Sequence, residues 1–145
     1  MKRFLSLFAL VLLAGCGPKP PDQSLILWEQ PSPMIAAMAH AREKQFIAKP
    51  VAGVSMEPFL VSGDWVVYDP QAPWSGVKVG QVILYKPDWF DGPVIHQVAA
   101  KSGDGWIMSG INNAHYESSI NGFPPVIERM YLGTFVLGYT TRKRP

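Results

Sequence analysis

The chain has 145 residues, a formal net charge of +2 and a single cysteine. That length is enough for one domain and little more. One cysteine excludes an intramolecular disulfide. Arg142, Lys143 and Arg144 at the extreme C-terminus supply more than the whole positive excess and read as a solvated end, so no basic surface for nucleic acid is expected.

The N-terminus has the layout of an export leader. Met1-Lys2-Arg3 is basic, residues 4–13 are apolar but too few to span a bilayer, and Leu13-Ala14-Gly15-Cys16 has the form of a lipobox. Cleavage before Cys16 removes residues 1–15 as a signal peptide and leaves the only thiol for thioether linkage to diacylglycerol, anchoring the chain to a membrane of the cell envelope. Gly17 follows the cysteine where an aspartate is often read as a signal for inner-membrane retention, a hint toward the outer membrane. Residues 16–45 follow as tether and helix. Pro18, Pro20, Pro21 and Pro31 with polar residues between them predict an extended spacer over 17–30. Ser32-Pro33 reads as an N-cap with proline at the first helical position, and the alanine-rich stretch 34–45 as a short helix packed on the sheet or serving as a spacer.

From residue 46 the pattern changes to short β-rich runs between glycine, proline and aspartate: 65–68, 81–85, 94–98, 105–108 and 133–139. Runs of that length predict a mainly β domain over 46–145, a barrel or a pair of sheets. Ser102-Gly103-Asp104-Gly105 predicts a hairpin joining the run that contains His96 to the one that contains Trp106. Trp89-Phe90, placed before the turn signal Asp91-Gly92-Pro93, is a loop anchor or a substrate or membrane contact.

Three segments carry chemistry. The first is Gly53-Val54-Ser55-Met56-Glu57-Pro58, continued by Phe59-Leu60-Val61-Ser62-Gly63-Asp64; the second is Pro93-Val94-Ile95-His96-Gln97-Val98; the third is Met108-Ser109-Gly110-Ile111-Asn112-Asn113. A serine attacks only when a base takes its proton, and histidine suits that task because its charge changes near neutrality. In their order and spacing the segments resemble the signal-peptidase and LexA-like serine proteases over residues 46–139. His96 gives the resemblance to the endoplasmic-reticulum and archaeal type, with Gln97 where that type has arginine. Phe59 replaces the smaller residue common in the family, Ile111 replaces an aspartate, and the DNA-binding half of the LexA-type repressors has no counterpart upstream.

The resemblance implies a signal-peptidase-like β-barrel-type core, no metal and no organic cofactor. It makes Ser55 the nucleophile and His96 the base. Gly53, Ser55 and Met56 form the oxyanion and substrate-binding segment, with Met56 packed beneath it, and Asp64 belongs to a structural turn. Glu117 falls where the family has its third, acidic member, and His115 is a loop residue beside it. Lys86 and Lys101 are rival bases at exposed-looking positions. The substrate is a peptide or protein bound as an extended strand, with small side chains read before the cut. The expected function is that of a membrane-anchored serine endopeptidase. The alternative is a lipoprotein that keeps the fold as a non-catalytic peptide-binding or assembly module.

Overall fold

The computed structural model describes residues 26–113 and 122–143. Cys16, residues 16–25 of the expected tether, His115 and Glu117 lie outside the described residues. In chain order the elements are β1 (Leu27–Glu29), α1 (Pro33–Lys44), β2 (Ile47–Pro50), β3 (Trp65–Asp69), β4 (Val82–Tyr85), β5 (Val94–Ser102), β6 (Gly105–Ser109) and β7 (Tyr131–Thr140). The domain is mainly β with one short helix.

All seven strands belong to one sheet of order β2-β3-β7-β4-β5-β6, with β1 added beside β7. Every pairing is antiparallel except that of β1 with β7. The barrel-type closure that the resemblance implies is not found among the described residues: β2 and β6 end an open sheet. β7 is its axis. Thr134 faces both Asp69 of β3 and Ile83 of β4, and Gly138 faces both Val66 of β3 and Leu27 of β1. One edge of β7 is therefore taken by β3, and the other is shared by β4 and β1.

The predicted hairpin forms between β5 and β6 across Gly103 and Asp104, with Gly103 at φ +56° in the left-handed region that a tight turn requires. α1 begins at Pro33, as the Ser32-Pro33 signal predicts, although the Ser32 side chain makes no capping bond. It ends at Gln45, whose left-handed backbone (φ 59°) turns the chain so that the Phe46 N–H donates to the Ala41 carbonyl at 2.9 Å. Ala37 and Ala41, one turn apart, bury their methyls against Val67, Leu137 and Tyr139. His40 sits at the rim of this contact, bonded through Nδ1 to the Tyr139 hydroxyl at 3.0 Å. Two further clusters fill the core, one around Met56, Leu60, Val66 and Phe135, the other around Ile83, Tyr85, Val98 and Met108.

Two expectations are corrected. Residues 27–29, expected as part of a free spacer, form β1 on β7. Arg142, expected as a solvated end, reaches back across the domain to the loop between β2 and β3. Its guanidinium donates to the carbonyls of Pro58 and Phe59 at 3.1 Å each and to the Asp64 carboxylate at 2.7 Å. Asp64 is buried at 2% exposure and also accepts the Val61 N–H at 3.0 Å, which gives the Gly63-Asp64 turn its structural role.

Removing the guanidinium leaves the Pro58 and Phe59 carbonyls without this donor and the buried Asp64 carboxylate without its counter-charge. The pair is partly screened because Arg142 itself is 40% exposed. Arg142→Ala should lower unfolding free energy by about 1–3 kcal/mol, between the values typical of exposed and of buried pairs. Thermal unfolding followed by circular dichroism measures this, and an unchanged midpoint would refute the clamp.

Candidate active site

Ser55 lies in the long connection from β2 to β3, and His96 lies on β5, paired with Ile83 of β4. They are 41 positions apart and meet, with His96 Nε2 2.8 Å from Ser55 Oγ. No local geometry forces such a contact; it comes from the sheet, which delivers Ser55 and His96 from the two sides of β7. His96 is buried at 8% exposure while Ser55 is half-buried. The hydroxyl thus faces the groove and the imidazole stands behind it.

The Ser55 loop is held from below and from the side. Met56 is buried in the core with Val51, Leu60 and Val66, so its side chain anchors the loop and does not line the groove. Phe59 packs against the same cluster, which accommodates the larger residue at that position. From the side, the segment after β6 presses its backbone onto the loop. The Asn112 N–H donates to the Ser55 carbonyl at 2.8 Å, and its side-chain amide donates to the Val54 carbonyl at 3.0 Å. Gly110 makes this approach possible. A Cβ there would stand 2.6 Å from the Ser55 carbonyl oxygen and 2.9 Å from the Ser55 Cβ. Gly53 has a different reason to be glycine: its φ of +86° is strained for any side chain, while the space beside it is open.

Behind His96 stands Tyr85, which the sequence reading missed. Its hydroxyl is 3.3 Å from His96 Nδ1, and its ring lies diagonally across the β4–β5 ladder from the imidazole. The tautomer decides what this contact does. For His96 to take a proton from Ser55, Nε2 must be the acceptor, so Nδ1 carries the hydrogen and donates it to the Tyr85 oxygen. The Tyr85 hydroxyl proton is then directed to a different acceptor. A signal for Tyr85 was available, since β4 and β5 were both predicted and alternation places it two residues from the partner of His96.

The rival lysines are elsewhere. Lys101 is exposed, with its ammonium 4.3 Å from the centre of the Trp106 ring. Lys86 is exposed beside Asp88 and Arg129. Among the described residues no group of three or more His, Cys, Asp or Glu is placed to hold a metal ion.

Ser55 and His96 open into a cavity of about 740 Å³, bounded by the stretch 49–55 on one side and by 93–96 on the other. Trp89 and Phe123 stack in its wall, ring centroids 5.4 Å apart and planes 13° from parallel. The loop 86–93 that carries Trp89 is braced by Asp88, which accepts from both ends of the Arg129 guanidinium; that bond holds the Asp88 carboxyl below the usual carboxylate range. No family model matches the chain, and no curated protein matches it.

The Tyr85 contact has a measurable consequence. Tyr85→Phe removes one acceptor within reach of Nδ1–H while keeping the ring in the core. Any serine-dependent reaction at this site should slow by roughly three- to tenfold, as expected for loss of one neutral hydrogen bond of about 1 kcal/mol. KM should stay nearly constant. A pure packing role for Tyr85 predicts an unchanged kcat.

Proposed function

We propose that this protein is a membrane-anchored serine endopeptidase of the signal-peptidase type. The observation that carries the reading is the 2.8 Å contact between Ser55 Oγ and His96 Nε2 at the base of an open groove. A hydroxyl held against an imidazole is the minimum apparatus for acyl transfer. In the proposed reaction Ser55 attacks a peptide carbonyl as His96 takes its proton, and His96 returns that proton to the leaving amine. Water then enters by the same route to release the acyl group. Gly53 and the Ser55 backbone flank the carbonyl in this scheme, and an extended substrate pairs along the groove.

Support for the family reading comes from the coincidence of three segments. The Ser55 loop, the His96 strand and the Gly110–Asn113 stretch are parts of the segments on which the resemblance rests, and the Ser55 loop touches both of the others. Within this reading Glu117 is the carboxylate that orients His96, and the signal-peptidase-like core is the finer description of the mainly β domain. A serine-reactive fluorophosphonate tests the nucleophile. The wild type should be labelled at Ser55, and Ser55→Ala and His96→Ala should not. Absence of labelling in the folded wild type would favour the non-catalytic, peptide-binding alternative. If Glu117 completes a triad, Glu117→Gln should reduce turnover by about ten-thousandfold, the loss seen when a triad acid is amidated; near-equal turnover would reduce the site to a Ser–His dyad.

The anchor is a separate part of the proposal. Its warrant is the Leu13-Ala14-Gly15-Cys16 box behind a basic and apolar leader. No helix among the described residues is long and apolar enough to cross a membrane. Cys16→Ser should release the domain from the membrane fraction or stall its processing. An unmodified cysteine within an intact leader, seen by mass spectrometry, would remove the anchor.

A further inference from the structure

We propose that the cavity beside Ser55 is a subsite for one large, uncharged apolar side chain of a peptide, with Trp89 and Phe123 as the residues that read it. The inference rests on the peptidase reading for the orientation of that peptide toward Ser55. It departs from the small side chains that the family resemblance implies.

The first argument is the composition of the wall. Val66, Leu84, Trp89, Phe90, Val94 and Phe123 all face the space. Among the described residues, the titratable side chains that line it are Lys49, Tyr85 and His96, and none is a carboxylate. A cationic side chain would meet Lys49 and no carboxylate among the described lining residues, and an anionic one would leave water for a largely apolar surface. The second argument is size. A cavity of about 740 Å³ is in the range that encloses drug-sized ligands, so beside Ser55 it has room for a stretch of peptide main chain and a large side chain together. A methyl group would not reach the Trp89–Phe123 wall and would leave it without contacts.

The third argument is that the wall is built to stay in place. Trp89 is stacked on Phe123, the Asp88–Arg129 pair braces the same loop, and the Lys86 N–H donates to the Met130 carbonyl at 2.8 Å. Phe90, on this braced loop, is 57% exposed at the cavity rim, where an apolar ligand would take it out of water. The fourth argument is backbone access. Among the described residues, Val94 and Ile95 of β5 pair with β4 but not with β6, whose pairing with β5 begins at Gln97. An extended peptide can engage this part of the β5 edge while one of its side chains turns toward Trp89.

The test uses the full chain carrying Ser55→Ala, kept in detergent, and fluorescein-labelled octapeptide mixtures built from uncharged residues. One position at a time is fixed as Phe, Leu, Ala or Lys, and binding is read by anisotropy. At one position the Phe or Leu mixtures should bind at least about tenfold more tightly than the Ala mixture, a discrimination within reach of an apolar pocket. The Lys mixture should bind no better than Ala. Trp89→Ala and Phe123→Ala should erase the preference, and Trp89→Phe should keep most of it, which separates loss of the wall from loss of the fold. Equal binding of Ala and Phe mixtures at every position would overturn the subsite, as would a preference that survives Trp89→Ala in a folded protein. The same mixtures offered to the wild type separate the two proposals. Cleavage without a size preference overturns the subsite and leaves Ser55 as nucleophile; selective binding without cleavage supports the subsite and overturns the peptidase reading.

Discussion

The distance between Ser55 and His96 depends on β7. The Ser55 loop hangs from β2 and β3 on one edge of that strand, and His96 is carried by β5 through β4 on the other. A slip of one residue in either ladder would turn every side chain of the moving strand to the opposite face. β7 resists such slips because it is paired on both sides and its C-terminal half, residues 137–140, is buried. Irregularities in register fall between Val67 and Tyr68 and between Leu84 and Tyr85, on the two strands that flank it. Bulges of this kind bend a strand and re-aim its side chains. Here one of them adjoins Tyr85, the residue behind the imidazole.

Sheet pairing alone does not fix a long loop, and the connection from β2 to β3 is fixed by three separate devices. Burial of Met56 and Leu60 draws it onto the sheet. Asn112 satisfies the Ser55 and Val54 carbonyls, which any change of loop path would have to return to water. Arg142 satisfies the Pro58 and Phe59 carbonyls and neutralises Asp64. Two of the three come from residues remote in sequence, one after β6 and one after β7. The loop is therefore ordered by the completed sheet, and its local sequence only permits the path through glycines at 53 and 63, both at positive φ.

These contacts also explain what was legible in the sequence. The five β-rich runs, the helix start at Pro33 and the Gly103 hairpin depend on local pattern, and all were readable. β1 was hidden because three residues beside prolines carry no period of two, and its warrant is a parallel pairing with a strand more than a hundred positions away. β2 was hidden for a related reason. Ile47–Pro50 is short, largely exposed and ends in proline, as suits the end of a sheet but not a strand signal. Within the site, Ser55 and His96 were legible through the resemblance. The contact of Arg142 was not, because a terminal arginine reads as solvated until its partners are in view, and that of Tyr85 was only partly so, because strand alternation needs the β4–β5 register to place the ring beside His96. Gly110 stood in a recognised segment, yet its reason for being glycine is the Ser55 backbone, which only the fold brings near.

Histidine and lysine would meet the burial at this point differently. A lysine accepts a proton only once burial has driven it to its neutral amine, whereas an imidazole needs no such large displacement from its ordinary range. In the proposed reaction the charge arises only when Ser55 attacks, and that is when a partner at Nδ1 matters most. Tyr85 supplies an oxygen acceptor that fixes the tautomer, but a neutral phenol stabilises an imidazolium less than a carboxylate does. Orientation and charge compensation are therefore separable tasks at this site. The Tyr85 contact serves the first, and Glu117 in the proposed triad would add to the first and supply the second. A Ser–His pair with the tyrosine alone would keep the geometry for attack and forgo part of the electrostatic stabilisation, so a carboxylate at Nδ1 would act chiefly on the rate of the chemical step and little on the fold.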